Sequence, residues 1–127
     1  MPRKILVVED TRSIREIIAH LLRGRGYEVE TSGDGTDAQA RVAAFQPDLV
    51  ILDAMLPGKS GFDLCADLKG NERTRGIRVI MLTAATRDSG QGEEYWRERS
   101  RADDFMTKPF KGADLVERVA RLLGDAP

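Results

Sequence analysis

At 127 residues, 41% hydrophobic and 32% charged, the chain has the material for one core-bearing domain and too little for two of ordinary size. A net charge of −1, with basic residues spread along the chain, argues against a nucleic-acid surface, which ordinarily shows as a basic patch. No apolar run approaches the ~18 residues that span a bilayer, the N-terminus lacks a signal core, and the single cysteine, Cys65, permits no internal disulfide; the expected setting is cytoplasmic, away from membranes.

Apolar blocks alternate with amphipathic stretches throughout. Lys4 to Val8 is β-branched and continuous rather than alternating, as in a strand buried on both faces. Ile14, Ile17, Ile18, Leu21 and Leu22 then share one helical face, ended by Gly24 and Gly26. Ser13 with Glu16 could form a capping box, with Asp10 and Thr11 as competing caps. Tyr27 to Thr31 alternates like a strand near a sheet edge. After Gly33-Asp34-Gly35, the residues Ala38, Val42 and Phe45 fall at helical spacing. Leu49 to Asp53 is the most apolar strand, followed by a loop at Pro57 to Gly61 and a short helix from Phe62 to Lys69. Ile77 to Leu82 predicts a fourth strand ending at Thr83, Glu93 to Ser100 a charged helix, and Asp104 to Thr107 a fifth strand. Leu115, Val116, Val119 and Leu122 mark the final helix. Five βα units predict a doubly wound parallel sheet with helices on both faces and right-handed crossovers.

In such folds sites form beyond the carboxyl ends of the strands, where strand order reverses. The residues standing there are Glu9 and Asp10, Asp53, Thr83 and Lys108. Crowded carboxylates repel by about 4 kcal/mol per pair at roughly 4 Å and an effective dielectric near 20. They take up protons or a hard cation, and Mg²⁺ suits because it keeps waters for a substrate phosphate. A carboxylate beside it can attack phosphorus, while Lys108 and Thr83 would supply a cation and a hydroxyl to the moving phosphoryl group.

In these residues the chain resembles the receiver domains of two-component response regulators, over essentially its whole length. The likeness rests on Glu9-Asp10, on Asp53 in Ile51-Leu52-Asp53, on Met55-Leu56-Pro57-Gly58 with Gly61, on Met81-Leu82-Thr83-Ala84, and on Ala102 through Phe110. It implies a flavodoxin-like (βα)5 fold filling residues 1–127 as one stand-alone, chemotaxis-receiver-like domain without an output domain. Asp53 would be the phosphoacceptor. Asp10 and Asp53 would hold Mg²⁺ directly, Glu9 through water and Met55 through its backbone carbonyl. Thr83 and Lys108 would grip the phosphoryl oxygens, Thr83 and Phe105 would act as the switch, and the Lys108-Pro109 bond is commonly cis in such proteins. The implied partners are a sensor histidine kinase or phosphotransfer protein and a downstream protein, met through the face of the fourth helix, fifth strand and final helix that includes Tyr95 and Trp96. The chain would not be an enzyme towards other substrates, catalysing only its own phosphorylation and dephosphorylation.

Blander readings stand beside these. Asp53 alone could be a strand-end aspartate, Glu9-Asp10 could favour the first helix dipole, Phe105 and Trp96 could be core, and His20 a solvated surface residue. A haloacid dehalogenase-type phosphatase uses a similar Asp, Thr, Lys and Mg²⁺, but Met55 stands where its general acid should be. A flavin-binding protein should offer donors, not Glu9-Asp10, to a phosphate. A phosphorylation-independent pseudo-receiver should lack a reactive residue. One departure from the family is Arg101, where a glycine often precedes the Ala-Asp-Asp run.

Overall fold

The structure is a computed structural model that describes residues 2–83 and 101–125. Among the described residues, five strands form one parallel sheet: β1 (Lys4–Val8), β2 (Glu28–Ser32), β3 (Leu49–Asp53), β4 (Arg78–Thr83) and β5 (Asp104–Thr107), in the order β2-β1-β3-β4-β5. Four helices connect them or follow: α1 (Arg12–Arg23), α2 (Gly35–Phe45), α3 (Gly61–Gly70) and α4 (Gly112–Leu123). The expected charged helix with Tyr95 and Trp96 lies outside the described residues.

The continuous apolar strands follow from two-sided burial. Along β3, Leu49 and Ile51 join Ile18 and Leu22 of α1 and Leu115, Val119 and Leu123 of α4. Val50 and Leu52 point the other way, onto Val42 and Phe45 of α2 and Leu64, Cys65 and Leu68 of α3. Each such side chain contributes about 1.5–3 kcal/mol by leaving water. Burial also pushes the Cys65 thiol up to about 12, so it stays a protonated, apolar filler at neutral pH. Among the described residues, edge strand β2 pairs with β1 alone, from Lys4 opposite Glu28 to Val8 opposite Ser32. Its alternating sequence fits that position, although it begins one residue later than the pattern predicts.

Some local expectations give way to tertiary packing. The Ser13–Glu16 capping box does not form: Thr11 occupies the N-cap of α1 without a side-chain cap bond, Ser13 lies inside the helix, and Glu16 pairs with Arg12 at 3.6 Å. Asp34 and Ser60 do cap α2 and α3, accepting from Asp37 N at 2.7 Å and Asp63 N at 3.1 Å. The five apolar residues of α1 span too wide an arc to be buried together. Ile18 and Leu22 meet the sheet, whereas Ile17 is 60% exposed. Similarly, α4 buries Leu115, Val119 and Leu123, leaving Val116 and Leu122 half-buried. Arg101 sits at φ 60°, the left-handed region that a glycine would enter at no cost.

Gly61 begins α3 directly against the end of β3: its amide donates to Ala54 O at 3.0 Å, and an added Cβ would lie 2.1 Å from Asp53 O. Gly70, at the other end of α3, has open space around it. Gly61→Ala is therefore expected to lose about 1–3 kcal/mol through overpacking. Gly70→Ala should be neutral or stabilising by up to about 1 kcal/mol. Urea unfolding of both variants checks the contrast; equal midpoints would contradict it.

Candidate functional site

The topology places four strand ends, of β1, β3, β4 and β5, at one rim. Strand order reverses between β1 and β3, and the chain leaves β1 into Glu9-Asp10 and ends β3 at Asp53. Short extensions of the ladder hold the flanking residues: Glu9 N donates to Ser32 O at 3.1 Å, Ala54 N to Leu82 O at 2.8 Å and Lys108 N to Thr83 O at 2.9 Å. The site is thus set by sheet register. Its side chains stand on backbone that cannot shift without breaking paired strands.

Glu9, Asp10 and Asp53 each present a carboxylate oxygen, all within 4.8 Å of one another. Glu9 is fully buried, Asp53 is 5% exposed and Asp10 is exposed. Lys108 bridges two of them, donating to Glu9 Oε2 at 2.8 Å and Asp53 Oδ2 at 2.9 Å. The other oxygens are also engaged: Thr11 N donates to Glu9 Oε1 at 3.2 Å and Met55 N to Asp53 Oδ1 at 3.0 Å. Burial pushes the Glu9 carboxyl above its ordinary value, against the hydrogen bond from Lys108, and the Asp53 charge adds to the rise. For Lys108, burial acts to lower the pKa, but the bonds to Glu9 and Asp53 prevail and hold the ammonium above its ordinary value. The carboxylates and Lys108 therefore form one electrostatic unit with an excess of negative charge. Three hard oxygen donors at one open rim, one of them solvent-facing, fit a divalent cation of the Mg²⁺ type.

Thr83 ends β4 and is buried; Phe105 of β5 is 1% exposed, opposite Met81 of β4. The structure thus brings Glu9, Asp10, Asp53 and Lys108 together, with Thr83 on the adjoining strand, and puts the Phe105 side chain in the core beneath. The Met55 side chain is 70% exposed, so the position a general acid would need carries an exposed thioether. The Lys108–Pro109 bond is cis. His20 is exposed. Sequence reasoning missed Arg15, whose Nη1 donates to Glu9 O at 2.9 Å; a backbone carbonyl as acceptor leaves no trace in the sequence.

Residues 5–120 match the family model of the response regulator receiver domain, and the chain belongs to that family. It is 45% identical over 125 residues to the DNA-binding response regulator MtrA of Mycobacterium tuberculosis (strain ATCC 25618 / H37Rv), covering 96% of this chain and 51% of that protein. The chain spans about half the length of the curated relatives it matches. Among solved structures, the signal receiver domain of a signal transduction histidine kinase from Syntrophus aciditrophicus superposes with a TM-score of 0.88 at 36% identity, covering 96% of this chain and 90% of that one. The receiver domain of a sensor histidine kinase from Pseudomonas aeruginosa PAO1, with magnesium coordinated in its active-site cleft, gives 0.85 at 28% identity, covering 98% and 100%. The chain is thus a phosphoacceptor receiver domain of the two-component type. Its relatives here include DNA-binding regulators, so the chemotaxis-like, stand-alone expectation has no support from them.

Removing Lys108 leaves Glu9 and Asp53 facing each other without their shared cation. Lys108→Met is expected to cost about 1–3 kcal/mol in the presence of EDTA. Added Mg²⁺ should recover part of that, so its stabilising increment should be larger in the variant than in the wild type. Chemical denaturation with and without Mg²⁺ reads both; an equal or smaller increment would contradict the electrostatic account.

Proposed function

We propose that Asp53 is the phosphoacceptor, receiving a phosphoryl group from a sensor histidine kinase or phosphotransfer protein. The observation that carries this reading is the placement of the Asp53 carboxylate. It stands at an open strand end beside two further carboxylates, with Lys108 on one oxygen and the Met55 amide on the other. An Asp53 oxygen attacks phosphorus, the bond from phosphorus to the donor's nitrogen or oxygen breaks, and the electron pair leaves with the donor. Asp10 and Asp53 would hold Mg²⁺ directly, Glu9 through water and Met55 through its carbonyl. When bound, the cation neutralises phosphoryl and carboxylate charge. Lys108 then has a phosphoryl oxygen as an alternative to Asp53, and the Thr83 hydroxyl serves as a donor on the neighbouring strand. Exchange of partners by Lys108 and Thr83 is the local event, and rotation of Phe105 is the proposed readout. The chain turns over no other substrate in this reading; it promotes only its own phosphorylation and dephosphorylation.

An apolar groove of about 610 Å³ borders the same rim. Ile14, Ile17 and Leu21 of α1 line it with Pro109, Phe110 and Gly112, and Lys108 lies at its edge. It suits the histidine-bearing helix of the phosphodonor, because a helix seated there is held beside Lys108 and Asp53. The downstream partner would meet the face of β5 and α4 with the Tyr95–Trp96 region. No described helix is long and apolar enough to cross a membrane, which is compatible with a cytoplasmic setting.

Asp53→Asn should abolish labelling by acetyl phosphate and Mg²⁺-dependent beryllofluoride binding while the fold survives, since Asp53 packs at a rim rather than in the core. Stable labelling of the variant would overturn the assignment. Millimolar Mg²⁺ should raise the melting temperature of the wild type by binding the folded state alone. Asp10→Asn should diminish that shift more than Glu9→Gln.

Ile17→Glu is expected to reduce transfer from a histidine kinase that labels the wild type by about tenfold or more, equivalent to roughly 1.4 kcal/mol of lost docking energy. Labelling by acetyl phosphate should be unchanged. Equal loss with both donors would place Ile17 in fold maintenance instead.

A further inference from the structure

Asp10 poses a problem of positioning. Among the described residues its carboxylate has no hydrogen bond or ion pair, and it is exposed, yet it lies within 4.8 Å of the oxygens of Glu9 and Asp53. Glu9 is gripped through its side chain by Lys108 and Thr11 N, and Asp53 by Lys108 and Met55 N. Nothing comparable orients the Asp10 side chain, so its placement rests on the backbone of Glu9, Asp10 and Thr11.

That backbone is held from two sides. On the sheet side, Glu9 N donates to Ser32 O at 3.1 Å, one step beyond the pairing of Val8 with Ser32. On the helix side, Arg15 ties back: its amide donates to Thr11 O at 3.0 Å and its guanidinium Nη1 to Glu9 O at 2.9 Å. The side chain thus spans from the first turn of α1 to the end of β1. Gly33, on the loop after β2, makes room for it: an added Cβ there would come within 3.0 Å of Arg15 Nη1.

We infer that Arg15 is a positioning residue for the metal-binding carboxylates, acting through the Glu9 carbonyl, and that Gly33 is small so that the guanidinium can reach it. This inference rests on the reading of Glu9, Asp10 and Asp53 as the Mg²⁺ site. Arg15 touches neither metal nor phosphoryl group. It narrows the conformations open to the Glu9-Asp10-Thr11 turn, so that less order has to be created when the cation arrives. Residues one shell out from a metal commonly alter its affinity by about 10–100-fold. A single main-chain hydrogen bond belongs at the lower end of that range.

The test is a Mg²⁺ titration by calorimetry, with backbone amide NMR shifts of Glu9 and Asp10 as a second readout. It compares the wild type, Arg15→Ala, Arg15→Lys and Gly33→Ala, each also unfolded by urea in EDTA. Arg15→Ala is expected to bind Mg²⁺ about tenfold more weakly. Arg15→Lys should restore most of the affinity, because an ammonium on a long stem can donate to the same carbonyl. Gly33→Ala keeps Arg15 but displaces its guanidinium, a flexible end that yields at little cost to the fold, and should give an intermediate loss. An Arg15→Ala affinity within about twofold of wild type overturns the inference, as does a loss that tracks urea stability and that Arg15→Lys fails to rescue. If Arg15→Ala does not fold, Gly33→Ala decides alone, and an unchanged affinity there overturns it. A wild-type chain that binds no Mg²⁺ overturns the metal-site reading itself, and this inference with it.

Discussion

The bridge from Lys108 to both Glu9 and Asp53 is the interaction on which the site depends. A fully buried Glu9 would be untenable as a charged group without a partner, since an unpaired buried carboxylate carries its whole desolvation cost with no compensating contact. The ammonium satisfies two carboxylates at once, at 2.8 and 2.9 Å, yet leaves the cluster with more negative than positive charge. The resulting state is stable enough to fold and charged enough to attract a cation. In the proposed function, phosphoryl chemistry at Asp53 would compete for the same ammonium, so that one lysine would link the resting arrangement to the reacted one.

The sheet makes this possible by register. Because Val8 pairs with both Leu52 and Ser32, and Thr83 with Thr107, the polar residues that follow emerge at one rim within a few ångströms. Beneath them lies a two-sided core in which each residue along β3 alternates between the α1/α4 layer and the α2/α3 layer. The rim inherits the rigidity of that core. The carboxylates cannot relax apart by moving backbone, so their repulsion remains available to a metal and to phosphoryl transfer.

Much of this was legible in the sequence because chemistry and burial switch at the same points. Each apolar run ends, and a reactive side chain follows at once or one residue later: Val8 then Glu9, Leu52 then Asp53, Leu82 then Thr83, and Met106, past Thr107, then Lys108. What was not legible depends on contacts between distant segments. The Ser13–Glu16 pattern suited a capping box, with Thr11 among the competing caps; the site turn brings the helix in at Thr11, and no local rule chooses between them. Ile17 reads as core by spacing and is exposed because α4 and the sheet together accept only part of the apolar arc of α1. Arg15 acts on a carbonyl, and Gly61 is required by a carbonyl 2.1 Å from where its Cβ would be; main-chain acceptors have no sequence signature. Arg101 is the converse case. The missing glycine was visible as a departure, and the left-handed φ of 60° there shows why a glycine would suit.

The central claim is that the phosphoryl group resides on Asp53 rather than on another carboxylate of the cluster. The most direct test is to phosphorylate the chain with acetyl phosphate and Mg²⁺, reduce the acyl phosphate with borohydride, and locate the resulting homoserine by peptide mass spectrometry. The account predicts homoserine at position 53 alone, dependent on Mg²⁺. Homoserine at position 10, 2-amino-5-hydroxypentanoic acid at position 9, or labelling with no reduced residue in the peptide that contains Asp53, would contradict it.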